Sequence, residues 1–406
     1  MRDLAAPQRA VRVAAEEKLI RLGPSILSKL PAAEETTDPA ARESLLRIRQ
    51  KIFDHQTRNA LQASRLTLQG TYTLAEVFAE IRRQTGNRVD VNFPASGKLT
   101  TSRLLQIKAV PFWDALQIIA REFALRVTCP PDNSQPLLVS SDGPCASPPL
   151  AVSSHGPFLW IWETAELRPA PNAPGKQLLR AHLVFATEPR LRGLFATFSP
   201  GKMPLRTHEG RQLPPLNPDA SYELSMGERG YSVECDVDYL IPSDSKPQKL
   251  DWQGNFSLLI AAGEERFELP PAKQTTGDSQ RQGEVAITFF PVQFDQANTL
   301  RIPLVVTYDK TGPAFESHRL WIFRNRAELL SPAGNKLSPQ DCETRLQQQN
   351  VVLMDYQFKI PEKLARQSTF TYFAPTLIVT ENIPFEFKNV SPVLKSSALK
   401  LHETQE

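Results

Sequence analysis

The chain has 406 residues, 41% of them apolar and 22% charged, enough for roughly two to four domains with their own cores and too apolar for wholesale disorder. A net charge of +3 and a pI near 8.6, without any concentrated run of Lys and Arg, argue against nucleic acid as a partner. No stretch approaches the roughly 18 apolar residues of a membrane-spanning helix, and Arg2, Asp3, Arg9, Arg12, Glu16 and Glu17 interrupt any apolar signal core at the start.

Proline is the compositional outlier, with 35 Pro against 18 Gly, which favours edge strands, turns and linkers over long helices. Cys129, Cys145, Cys235 and Cys342 show no CxxC spacing, which argues against a zinc ribbon or a thioredoxin-like site. Their even number permits two disulfides in an oxidising compartment, but unpaired thiols are the favoured reading.

Residues 1–60 read as helical. Ala14, Leu19, Leu22, Ile26, Leu27 and Leu30 recur at helical spacing, with Gly23-Pro24 as a turn. Asp38-Pro39 supplies a cap and a first-turn proline for a helix whose apolar side is Leu45, Leu46, Ile48 and Ile52. The runs AAEEKLIRLGPSILSKL and DPAARESLLRIRQKI resemble fragments of HEAT-type helical repeats. An array of such repeats needs about three units to bury its faces. The segment is therefore expected either to cap the next domain or to end a longer array.

Residues 64–141 carry a duplication. A strand, LTLQ at 66–69, leads to a helix at 73–86 with Leu74, Val77, Phe78 and Ile81 inward and Gly86 as its cap, and then to a second strand from Val89 to Phe93. About 39 residues on, LLQIKAV, PFWDALQIIAREFAL and RVTC repeat the order. Two strand-helix-strand copies make a small α+β layer. The phrases LTLQGTYTLAEVFAEIRRQTGNRVDV and LLQIKAVPFWDALQIIAREFALRVTC resemble the short N-terminal domain of bacterial secretins and TonB-dependent receptors. That resemblance implies an envelope or periplasmic setting and a protein partner docking on 64–141, and it carries over no catalytic residue.

A Ser, Pro and Gly linker at 142–150 precedes two β-rich segments, expected as related sandwiches at 151–270 and 283–391, with a polar linker at 271–282 and a polar tail at 392–406. Tyr231, Val233, Cys235, Val237, Tyr239 and Ile241 alternate with polar residues, and about 119 residues later Val352, Met354, Tyr356, Phe358 and Ile360 do the same. Leu183-Val184-Phe185 matches Leu304-Val305-Val306, HEGRQLPP at 208–215 matches PAGNKLSP at 332–339, and RFEL at 266–269 matches PFEF at 384–387. The closing run FAPTLIVTENIPFEFKNV resembles the end of uncharacterised bacterial envelope proteins. The whole is read as multidomain α+β and all-β: N-terminal helices, a small duplicated βαβ domain and two tandem related β-sandwiches.

Few residues invite a chemical role. Glu234, Asp236 and Asp238 form a carboxylate row on one strand face that a calcium ion would recognise. They lack the loop carbonyls and glycine turn of such a site, so a solvated sheet face is favoured. Phe158, Trp160 and Trp162 are the right residues for a sugar- or peptide-stacking platform, yet Val285, Ile287 and Phe289 align with them and point to core. Trp113 is placed in a helix core with Leu116 and Ile119. His55, His155, His182, His208, His318 and His402 show no ligand spacing, and HExxH, GxSxG, GxxxxGK and GxGxxG are absent.

No cofactor and no catalytic residue is therefore expected, and the chain reads as a non-enzymatic envelope scaffold. The alternatives are a carbohydrate-binding or hydrolytic protein using the sandwich loops, and a cytoplasmic regulator.

Overall fold

The structure, a computed structural model, describes residues 2–31, 36–92, 100–132, 135–140, 148–170, 173–227, 230–282, 285–295, 298–308, 320–348, 350–392 and 395–396. Cys145, His318 and His402, much of the expected 142–150 linker and most of the 392–406 tail lie outside them. Two compact units emerge, one of Met1–Leu61 with Ala261–Val379 and one of Gln62–Ile260 with Thr380–Glu406.

At the N-terminus, helix α1 (Arg9–Arg21) turns at Gly23, whose φ of +70° suits glycine, into a 3-10 segment, Gly23–Lys29. Helix α2 (Pro39–Ala60) begins where the Asp38 carboxylate accepts the Ala41 N–H at 2.8 Å, with Pro39 in its first turn. Ala41, Leu45, Ile48 and Ile52 form its buried stripe against Leu4, Ile26 and Leu30. Leu22 and Leu46, expected on the apolar sides, are 63% and 44% exposed. Leu46 falls one position, about 100° of helical turn, off the stripe that Leu45 occupies.

The second unit opens with β1 (Arg65–Thr73), α3 (Leu74–Thr85) and β2 (Asp90–Asn92), and repeats with β3 (Ser102–Pro111), α4 (Phe112–Glu122) and β4 (Leu125–Thr128). A Thr73–Glu76 capping box starts α3, and Gly86 ends it at φ +72°. The first strands of the two copies pair with each other, antiparallel from Arg65↔Pro111 to Thr73↔Ser102. A further strand, β5 (Leu137–Ser140), was not anticipated: its short LLVS run sits among turn residues and shows no period. It lies between β2, parallel to it, and β4, antiparallel to it.

The sandwich strands of this unit are β6 (Ala151–His155), β7 (Phe158–Pro169), β8 (Lys176–Thr187), β9 (Arg192–Phe198), β10 (Leu205–Thr207), β11 (Gln212–Leu213), β12 (Tyr222–Ser225), β13 (Ser232–Pro242) and β14 (Leu250–Leu269). The other unit holds β15 (Asp278–Gln282), β16 (Val285–Phe289), β17 (Gln293–Phe294), β18 (Thr299–Tyr308), β19 (Ala327–Leu330), β20 (Lys336–Leu337), β21 (Asp341–Gln348) and β22 (Val351–Lys359), followed by β23 (Thr369–Val390). A last strand, β24 (Lys395–Ser396), pairs parallel to β7.

The two copies share topology and register. One sheet runs β6-β7-β8-β13 and its counterpart β15-β16-β18-β22. Cys235 faces Leu183 across β13 and β8, and Met354 faces Leu304 across β22 and β18. The hairpin β10-β11 joins β14 through Leu205↔Trp252, and β19-β20 joins β23 through Leu329↔Phe370. Gly210 and Gly334 turn the two hairpins at φ +83° and +82°. Met354 is fully buried, whereas Cys235 is half-buried.

The expected segment limits differ from the compact units. Strand β14, 20 residues long, begins in one unit and ends in the other, and the 22-residue β23 makes the reverse passage. The unit boundaries fall after Ile260 and Val379, inside those two strands and not at the expected limits of 270 and 283, and the expected polar linker at 271–282 holds the strand β15. Nor does residues 64–141 form a separate core. Leu66, Leu68, Trp113, Leu116 and Leu138 pack in one cluster with Leu159, Ile161, Val184, Ala186 and Tyr231 of the sandwich.

Candidate functional site

The run FLWIW in β7 is buried on both faces, which sets the site's frame. Phe158, Trp160 and Trp162 point into the sandwich, where Trp160 lies 4.4 Å from Phe185, 4.5 Å from Phe256 and 4.8 Å from Phe385 between ring centres. These three are core and offer no stacking platform. Leu159 and Ile161 point outward and are buried beneath the α+β layer. Trp113 is buried in that same seam and donates its Nε1–H to the Pro157 carbonyl at 3.0 Å.

Beside the seam lies a polar hub that the sequence did not disclose. The Glu188 carboxylate is fully buried and accepts from the Ser64 N–H at 2.9 Å, the Ser64 hydroxyl at 2.7 Å, the Asn87 amide at 3.0 Å and Arg190 Nε at 2.6 Å. Asn87, also fully buried, accepts the Arg190 N–H at 2.9 Å through its side-chain oxygen. A fully buried carboxylate with four donors on it is a fastening between the layer and the sandwich.

Farther along the same outer sheet face the burial ends and charges take over. On β8, Arg180 and His182 alternate with inward Leu179, Ala181 and Leu183. Arg180 grips Asp238 through two bonds of 2.7 Å and approaches Asp236 at 3.3 Å. The His182 Nδ1 lies 2.8 Å from Asp236, and its Nε2 stands 3.8 Å from both Glu163 and Glu234. Burial, and then the charges of Glu163, Asp132 and Asp236, push the Glu234 carboxyl above its usual range against the pull of His182.

The candidate row Glu234, Asp236 and Asp238 is therefore half of a cross-strand charge ladder, not a bare wet face. Among the described residues no group of three or more His, Cys, Asp or Glu side chains is arranged to hold a metal ion. The partners of these carboxylates escape a reading of β13 alone because they sit 54 and 58 positions away, but the alternation in β8 already marks Arg180 and His182 as facing out.

The thiols are equally uninviting as nucleophiles. Cys129, Cys235 and Cys342 are free, and burial raises all three, Cys342 to about 11. Of the six histidines, His55, His155 and His208 are exposed and only His182 joins a charged cluster among the described residues.

What the arrangement does offer is backbone. β3 is a ten-residue strand that, among the described residues, pairs with β1 alone. The free side of β1 is closed at Thr67, whose N–H and C=O are both engaged at 2.9 Å by the Gln84 amide. Along β3 no strand takes the other side among the described residues, and Leu104 stands 63% exposed on its wet face.

No protein-family model and no curated protein matches the chain. Among solved structures, the crystal structure of bovine butyrophilin overlaps 57% of this chain and 99% of its own length at 9% identity with a TM-score of 0.16, a likeness too slight to carry a conclusion on fold or function. Among the described residues no helix is long and apolar enough to cross a membrane.

Proposed function

We propose that the chain is a non-enzymatic interaction protein of the bacterial envelope, a scaffold that docks a partner protein on the α+β layer at 64–141. The observation that carries this reading is the uncovered side of β3. A strand of ten residues offers alternate N–H and C=O groups to an incoming extended segment, and Leu104 gives it an apolar anchor. The envelope setting draws its support from the resemblance of the two strand-helix-strand copies to the short N-terminal domain of secretins and TonB-dependent receptors.

The shared core and the Glu188 hub make the layer and the first sandwich one body, so deletion of 64–141 would strip Leu159, Ile161, Val184 and Ala186 of cover. A test that leaves the fold intact is a photocrosslinking amino acid at the exposed position Gln106, used in envelope extract. One dominant crosslinked protein is expected, displaced when Leu104→Asp is added. Equal capture of that protein from positions on β21, or capture indifferent to Leu104→Asp, would move the docking function off the layer.

A further inference from the structure

The two sandwich copies differ at one edge. In the second copy, β22 is covered along its outer side by β21, from Asp341↔Gln357 to Gln348↔Val351. The covering strand begins just after the Gln340 N–H reaches the Gln357 carbonyl at 2.8 Å. In the first copy the same opening contact exists: the Leu216 N–H reaches the Asp238 carbonyl at 2.8 Å, and Leu216 and Asp238 are the repeat counterparts of Gln340 and Gln357. There the chain turns away. Pro218 follows at once, without an N–H to extend a ladder, and the segment next pairs as β12 with β9 in the other sheet.

The outer edge of β13 is consequently held at its two ends and open between. Leu240 and Asp238 are bonded by Pro214 and Leu216, and the Ser232 carbonyl accepts the Gly227 N–H at 3.0 Å. Because those contacts come from even-numbered residues, the N–H and C=O of Glu234 and Asp236 also point outward, and no strand lies along them among the described residues. The open stretch, 233–237, is about 17 Å long.

The second copy also shows what chemistry such an occupant brings. Asp355, the counterpart of Asp236, is 1% exposed and ion-paired at 2.5 Å with Arg345, the bulge residue of β21. In the first copy the carboxylates at the open edge are Glu234 and Asp236, both about two-fifths exposed, with Glu163 beside them; from β8 they meet His182 and Arg180, the latter gripping Asp238 through two bonds, so four carboxylates face two basic side chains. Like charges facing each other across a strand pair oppose a second copy of this edge and favour a cationic strand.

We infer that the outer edge of β13 is a strand-addition site, and that its occupant is an extended segment of a partner protein carrying Arg or Lys at alternate positions. The added strand runs antiparallel to β13, as β21 does to β22, and exchanges backbone hydrogen bonds with Glu234 and Asp236 while its cations face their carboxylates. This site is separate from β3 and stands whether or not the α+β layer docks a partner.

The test uses the full chain and a fluorescent, amidated eight-residue peptide alternating arginine and threonine, followed by anisotropy at about 0.15 M salt. Saturable binding is expected, and the glutamate-for-arginine peptide should bind about tenfold or more weakly. N-methylation of one alternate set of peptide amides should abolish binding and methylation of the other set should leave it, since only one set faces β13. Hydrogen exchange should slow at the amides of Glu234 and Asp236. The variant Glu234→Lys with Asp236→Lys, its fold checked by its melting curve, should reverse the peptide preference.

Failure of the arginine peptide to bind, tolerance of both methylation patterns, or protection away from those two amides would each overturn the site. Self-association of the chain that protects Glu234 and Asp236 and that the peptide competes away would overturn the assignment to a basic partner in favour of a second copy. Loss of crosslinking at Gln106 bears on the layer alone and leaves this result untouched.

Discussion

Replacement of Glu188 by alanine tests the central claim about how the layer and the first sandwich are joined. The substitution removes the acceptor of four hydrogen bonds and leaves the buried Asn87 amide, the Ser64 N–H and the four-fifths-buried Arg190 without their shared anion. Each bond to a charged acceptor is worth about 1.5–3 kcal/mol by deletion, but the four share one carboxylate and do not add. Removing one partner of a buried ion pair costs about 3–5 kcal/mol, and a loss in that range is expected here. Urea unfolding followed by Trp fluorescence reads it, since Trp113 sits in the affected seam and Trp160 and Trp162 on its far side. Ser64→Ala, which removes one hydroxyl donor, should cost about 1 kcal/mol and couple to Glu188→Ala in a double-mutant cycle. A Glu188→Ala loss below about 1 kcal/mol, or no coupling with Ser64, would refute the fastening role.

Three further outcomes follow from the same geometry. Tyr239→Phe removes the hydroxyl that accepts the Trp252 indole N–H at 2.8 Å and donates to the Met203 carbonyl at 2.6 Å, and should cost about 1–3 kcal/mol in thermal unfolding because both buried partners are stranded. The hydrogen bond from Arg83, then that from Gln84, holds the Glu80 carboxyl down at about 2, so its contribution is present above the unfolded value near 4.5 and lost as pH falls toward 2; carbon-detected NMR titration should show a midpoint near 2 that Arg83→Ala raises. Iodoacetamide at pH 8 should label Cys342 slowly and Cys129 and Cys235 only after unfolding, which mass mapping checks against the raised thiols and the burial that raises them.

Several features were legible in the sequence because local physics alone decides them. The Asp38-Pro39 start of α2, the Gly86 stop of α3 and the alternation of β13 and β22 each depend on a few neighbouring residues and the backbone's own geometry. The duplications were legible too, since a repeat imprints matching turns, such as Gly210 and Gly334, wherever the backbone must take positive φ. Tertiary structure decided what these elements meet. Leu159 and Ile161 gave no strand-face signal, because a strand covered on both sides loses its period; only the packed α+β layer shows why FLWIW is continuous. Nothing local singles out Glu188 or Arg180, because the groups that close on them, Ser64, Asn87 and Asp238, lie far away in the chain. Strands β14 and β23 run unbroken from one unit into the other, and the edge of β13 lies open because Pro218 turns the chain aside where its repeat partner runs on.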